Sequence, residues 1–203
     1  MATGIRAFWR TAFLVLLPLS AHAQVADWQP VEQVSTYGIT GDSAVSLYAS
    51  IGERGPKVGA QVRAIAHTDF KLTWTRQYTP QPDGSCRITV ARPKLIITYM
   101  LPKPAVTLAA DLKTKWDVFI AGVRKHEAVH GVMITDMVRE IERVSLAIST
   151  PNDPKCARLR TDLQTKLGEI SKAQRQRSAD FDKMELSNGG NVHQLILQLV
   201  NGK

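Results

Sequence analysis

From Leu108 to Ser149 the chain contains no proline and only two glycines, Gly122 and Gly131. Within this run Trp116, Ile120, Val123, Glu127, His130, Ile134, Met137 and Ile141 follow one another at steps of three and four residues. That is the spacing of one buried stripe on an α-helix. At 1.5 Å per residue such a helix would reach roughly 60 Å, long enough that a break or bend within it is one expectation. Thr107 stands where it can cap the start, shortly after Pro102 and Pro104. The rest of the chain has to supply a sheet or further helices to cover the stripe.

Two residues of that stripe do not suit an apolar core, and around them the chain reads His126-Glu127-Ala128-Val129-His130. Residues four apart lie one above the other on a helix, so both imidazoles can reach one metal ion. Zinc with three protein ligands keeps a fourth position for water, and an adjacent glutamate can take that water's proton as it attacks a carbonyl. The motif points to metal-assisted hydrolysis, most often of a peptide bond. A carboxylate and imidazoles on an apolar stripe are costly to bury unpaired, and one cation would partner all of them. A satisfied hydrogen-bond network is the bland alternative, but it gives no reason for this order of residues.

Arg6 and Arg10 precede a short apolar run from Ala12 to Leu19, and Ala21-His22-Ala23 is a small-x-small cleavage pattern. Residues 1-23 therefore read as a secretory signal removed before Gln24, leaving no stable membrane anchor, since the run is too short to span a bilayer. Residues 24-203 then form a single domain of ordinary size. The formal net charge of +8 falls to +6 without Arg6 and Arg10. The remaining Lys and Arg are scattered, with no aromatic-interleaved basic patch of the kind nucleic-acid binding needs. Cys86 and Cys156 are an even pair, which in an exported chain, periplasmic or secreted, predicts one disulfide.

Val31 to Ile39 is rich in β-branched residues and reads as a strand. Thr40-Gly41-Asp42-Ser43 can cap a short helix through Ile51, and Gly52 to Gly59 reads as a loop. Phe70, Leu72, Trp74, Arg76 and Tyr78 alternate with polar residues, as the inward face of a strand does. A turn at Pro80 to Ser85 leads into Arg87 to Arg92 and Leu95 to Leu101, a hairpin or meander with Pro93 at a break or edge. After the long helix, Asp153 and Pro154 predict the N-cap and first position of a second one. Its stripe is Cys156, Leu159, Leu163, Leu167, Ile170 and Ala173, and its end is basic from Lys172 to Arg177. Phe181 to Gly190 reads as a loop and Asn191 to Val200 as a final strand or short helix. The expected fold class is α+β: a mainly antiparallel N-terminal sheet packed on two long antiparallel helices, the first carrying HExxH in a zincin-like arrangement.

Two histidines need a third ligand. In one large class of zinc proteases the motif runs on through a glycine to a ligand three residues beyond it. Met133 and Asp136 stand at those positions here. On a continuing helix Asp136 lies about 600° past His130 and faces away from it. Asp162 and Glu169 on the second helix, and Asp182, Glu185 and His193 in the tail, stay open as ligands.

Tyr37-Gly38-Ile39-Thr40-Gly41, Trp74, Gly84-Ser85-Cys86, Leu101-Pro102, Trp116, His126 to Gly131, Cys156 and Phe181-Asp182 form an ordered set of landmarks. Together they resemble a family of uncharacterised bacterial proteins, predicted secreted zinc-dependent proteases. The resemblance covers nearly the whole mature chain. In that family an aromatic-Asp pair is followed a few residues later by His-Gly, a source for the third ligand. This chain keeps Phe181-Asp182 and has Asn188-Gly189 where the histidine is expected. With asparagine there, either Asp182 or His193 substitutes as the third ligand or the site is weakened, and Asp182 is the expected ligand. Without a metal, Asp182 would cap the turn after the second helix.

The expectation that follows is a hydrolase acting on a peptide or protein substrate, with one Zn2+ held by His126, His130 and Asp182. Glu127 is its general base. Tyr99, His67 or His193 could stabilise an oxyanion. The competing expectation is a non-catalytic envelope protein in which the same residues hold a structural metal or a hydrogen-bonded cluster. A closed fourth ligand would favour that alternative, because structural zinc sites are closed.

Overall fold

The computed structural model describes residues 28–58 and 62–202, so the expected signal at 1–23 lies outside the described residues. In chain order the elements are β1 (Val31–Ile39), α1 (Ala44–Arg54), β2 (Lys57–Val58), β3 (Val62–Arg63), β4 (His67–Pro80) and β5 (Cys86–Pro104). They continue with α2 (Ala110–Ala147), β6 (Ser149–Thr150), α3 (Ala157–Leu186) and α4 (Asn191–Asn201). The architecture is α+β. The expected strand at 31–39 is β1. The expected helix after Ser43 is α1, whose capping box pairs the Ser43 hydroxyl with the Ser46 amide and the Ser46 hydroxyl with the Ser43 amide. Part of the expected 52–59 loop instead completes α1 and forms β2.

β4 and β5 form a long antiparallel hairpin, in register from Pro80↔Cys86 to His67↔Met100. Its turn places Gly84 at φ +79°, in the region that favours glycine. Asp83 closes the turn by accepting from the Ser85 amide at 2.9 Å and its hydroxyl at 2.7 Å. The expected break at Pro93 is absent, and β5 runs unbroken through Pro102 to Pro104. The reason lies in the neighbours. β1 accompanies β5 only from Ile96 onward, and β4 stops opposite Met100. Pro93 therefore lies before β1 begins, and Pro102 and Pro104 lie after β4 has ended. Each proline sits beside an open edge, where a strand tolerates the missing N–H. β1 pairs with β5 in parallel, from Val31↔Ile96 to Ile39↔Pro104. The sheet, in the order β1-β5-β4 with β6 also on β5, is mainly antiparallel as expected, with β1 as its parallel strand.

α2 is continuous over 38 residues, about 57 Å, with no break. Thr107 does not cap it: the N-cap is Ala109, without a side-chain bond. The expected stripe faces inward, with Trp116, Val123, Glu127, His130, Ile134, Met137 and Ile141 all buried. Trp116, Phe119 and Val123 join one apolar cluster with Ile39, Leu47, Leu101 and Leu199. Ile134, Met137, Val138 and Ile141 join a second with Leu95 and Ile97. His126 to Gly131 falls between the two. The polar stretch is held in place by apolar packing on either side of it along the helix.

α3 returns antiparallel to α2, and its start is pinned to the hairpin. Cys86 and Cys156 form the expected disulfide, with a sequence separation of 70. β6 pairs with Cys86 and Arg87, and the Asp153 amide donates to the Gly84 carbonyl at 2.8 Å. The N-cap of α3 is Cys156 rather than the expected Asp153, which instead reaches the first turn from three residues upstream. Its two carboxylate oxygens accept from the Ala157 and Leu159 amides, each at 2.9 Å, while Pro154 stays outside the helix. The larger correction is at the other end. Phe181 to Leu186 is helix, not loop, and Asp182 caps no turn. The segment from Asn191 is helix α4 rather than strand. Among the described residues no helix is long and apolar enough to cross a membrane.

Candidate metal centre

Because α2 and α3 are antiparallel, residues of falling number on α2 meet residues of rising number on α3. Ser178, Phe181, Asp182 and Glu185 share one face of α3 and lie over His130 and His126. The Nε2 atoms of His126 and His130 are 3.2 Å apart. Asp182 Oδ1 lies 2.8 Å from Nε2 of His130 and 3.2 Å from Nε2 of His126. These three ligand atoms form a compact triangle. Phe181 stacks on the His126 ring at 4.8 Å between centroids and meets the His130 ring edge-on at 5.4 Å.

The triangle suits a small cation. Metal–ligand bonds of roughly 2.0–2.2 Å in a tetrahedral site place ligand atoms roughly 3.3 Å apart, close to the spacings here. Two imidazole nitrogens and a carboxylate oxygen converging on one point can each turn a lone pair to one cation. His126 Nδ1 is buried and has no hydrogen-bond partner. Electrostatics agree. Burial pushes Asp182 towards neutrality, but hydrogen bonds from His126 and His130 and their charges hold it well below the usual carboxylate range. Burial also disfavours charge on His126, yet its bond to Asp182 and the charges of Glu127, Asp182 and Glu185 lift its pKa above the ordinary imidazole value.

Glu127 is buried at 5% exposure on the sheet side of α2, near enough for its charge to act on His126. Thr68 Oγ1, near the start of β4, lies 2.5 Å from its Oε2 and 3.2 Å from its backbone carbonyl. Tyr99 is the register partner of Thr68 on β5. Gly131 packs directly on the Tyr99 hydroxyl, and a Cβ at 131 would overlap it. Burial first, then Glu32, then Glu127, push the Tyr99 phenol up to about 12, so it stays protonated.

The other residues expected at the site are distributed as follows. Glu185 Oε2 faces His126 Nδ1 at 3.7 Å, on the far side of the ring from the triangle. Asp162 accepts from Thr150 Oγ1 at 3.3 Å, close to the start of α3, and Glu169 is exposed. Asp136 is exposed and pairs with Arg177 at 3.1 Å. His193 Nδ1 accepts from the Gly189 amide at 3.3 Å, at the start of α4. His67 begins β4 opposite Met100. Sequence reasoning missed Thr68, Ser178 and Asn191. Ser178 was findable: Ser178, Asp182 and Glu185 stand at i, i+4 and i+7, visible once the second helix is extended.

A family model described as "Bacterial protein of unknown function (DUF922)" matches residues 34–190. The chain belongs to this family. The matched DUF922 region runs from β1 to the end of α3 and contains both histidines, Glu127, Asp182 and both cysteines. The family's description carries no activity, so the expected resemblance holds at the level of a bacterial family. No curated protein and no solved structure matches the chain.

Proposed function

We propose that the protein is a zinc-dependent peptidase of the cell envelope, with His126, His130 and Asp182 holding the ion. The observation that carries this reading is the convergence of three ligand atoms from two helices directly beside a buried glutamate. Three ligands leave a tetrahedral ion one position for water or substrate, the mark of catalytic rather than structural zinc. When bound there, zinc supplies a Lewis acid that acidifies water and polarises a carbonyl. Glu127 accepts the proton of the attacking water and passes it to the leaving amine. Thr68 fixes the glutamate by engaging one of its carboxylate oxygens. The Tyr99 phenol, kept protonated beside Glu127, is available as a donor to a developing oxyanion.

In this reading an extended substrate lies along an outer strand of the sheet. β1 and β4 are the two outer strands of the main sheet, and β4 carries Thr68. A peptide added alongside β4 would gain backbone hydrogen bonds while passing the Glu127 carboxylate. Phe70, on the same face of β4 and 38% exposed, offers it an apolar contact. The zincin-like arrangement and export both belong to this reading, and the buried disulfide supports an oxidising compartment.

The test is elemental analysis of the disulfide-intact protein and its Glu127→Ala variant, with casein and a peptide library as substrates. One zinc per chain in both, with cleavage lower by at least about a hundredfold in the variant, is the expected result. Absence of zinc in the parent overturns the reading. Zinc in the parent without cleavage would instead make this a metal-stabilised binding protein.

A further inference from the structure

We infer that Glu185 and Ser178 are positioning residues that fix the tautomers of His126 and His130, placing the ring proton on Nδ1 so that both Nε2 lone pairs point into the triangle. This rests on the cation reading of the cluster and not on peptide hydrolysis. An imidazole bound through Nε2 carries its proton on Nδ1, and that proton normally goes to a carboxylate, carbonyl or hydroxyl that sets ring orientation and basicity.

Glu185 is built for that role at His126. It is buried at 7% exposure, three residues after Asp182 on the same helical face. Asn191 Nδ2 donates to its Oε1 at 2.7 Å, which leaves Oε2 directed at the otherwise unpartnered Nδ1 of His126. A carboxylate only accepts, so this neighbour favours the Nδ1–H form. From 3.7 Å, a side-chain shift of under about 1 Å completes the hydrogen bond. Asn191 is the first residue of α4, so α4 anchors the carboxylate behind the ligand histidine.

Ser178 does the same for His130 with a neutral group. Its hydroxyl accepts from Gln174 Nε2 at 2.9 Å and donates to Met133 Sδ at 3.7 Å. With its one proton engaged, it meets His130 Nδ1, 3.4 Å away, as an acceptor. One face of α3 thus provides the third ligand and both outer partners, on Ser178, Asp182 and Glu185.

The experiment compares the parent with Glu185→Ala, Glu185→Gln and Ser178→Ala, using Glu169→Ala as an exposed control. Zinc affinity is measured by chelator competition, and the hydrogen bonding of each histidine Nδ1–H by 1H–15N spectra of the zinc-loaded proteins. Glu185→Ala should weaken zinc by about ten- to a hundredfold and Glu185→Gln by less, because the amide can still accept. In Glu185→Ala the His126 Nδ1–H should lose its hydrogen-bonded shift, which a merely structural role for Glu185 would leave unchanged. Zinc in the parent with equal affinity and an unchanged His126 Nδ1–H shift in Glu185→Ala overturns the inference alone. No zinc in the parent overturns the cation reading, and this inference with it.

Discussion

At the scale of single residues, the centre combines groups whose charges are tuned against each other before any ion is present. Asp182 is held below its ordinary pKa and His126 above its own. A depressed carboxylate contributes stability that is present above its unfolded value, about 3.9, and lost as pH falls. A raised imidazole contributes stability that is present below its unfolded value, about 6.5, and lost as pH rises through the folded value. In EDTA, urea midpoints should therefore be highest between about pH 4 and 6.5 and decline on both sides. Asp182→Asn should flatten that profile, and a profile unchanged by Asp182→Asn would show that the pair is not coupled. Gly131 is constrained for a steric reason. Gly131→Ala should cost about 1–3 kcal/mol by forcing Tyr99 aside. Tyr99→Phe in the same chain should recover part of that loss, read as a coupling energy in a double-mutant cycle of denaturant midpoints.

At the scale of elements, the long helix was legible because its periodicity is local. Every residue from Trp116 to Ile141 expected on the stripe lies inward or half-buried, since apolar steps of three and four need only the helix's own geometry. The second helix was legible only at its start. The basic run at Lys172 to Arg177 resembles a helix end, yet no glycine or proline occurs between Gly168 and Gly189, and α3 continues to Leu186. Those extra turns carry Ser178, Asp182 and Glu185 into the site. The start of α3 depends on the Cys86–Cys156 bridge to the β4–β5 hairpin. Replacing both cysteines by alanine should remove about 4 kcal/mol in the chain-entropy model for a loop of this length, seen as a lower denaturant midpoint. Because that bridge fixes where α3 begins, the same variant should also bind zinc more weakly.

At the scale of the whole molecule, the centre brings together two helices that are also joined by the β6 reversal, apolar contacts and the Asp136–Arg177 pair. A cation shared by α2 and α3 would stabilise the folded chain by mass action. At a hundredfold excess over Kd the gain is about 2.7 kcal/mol, or about 5–10 °C in Tm for a domain of this size. Zinc should raise Tm by that amount and EDTA should reverse it, while His130→Ala should show no response. An equal response in His130→Ala would place the zinc elsewhere. Beside the centre, Gly122, Lys125 and Val129 of α2 and Gln194, Leu195 and Gln198 of α4 wall a cavity of about 440 Å³ that reaches His126. Gly122 lets Leu195 approach the α2 backbone, so α4 closes over the same side of the site that Asn191 supports.

The sequence by itself determined the two-histidine half of the centre, the inward phase of Glu127 and His130, the cysteine pair and the first strand and helix. All of these are set by neighbours within a few residues or by composition. It left open which of Asp162, Glu169, Asp182, Glu185 and His193 would meet the histidines. Only the tertiary structure decided that, because Asp182 lies 52 residues beyond His130. Its placement depends on where the reversal pins α3 to the hairpin and how many turns the helix then completes. Spacing along one helix is local geometry, whereas a meeting between two helices is a property of the packed chain.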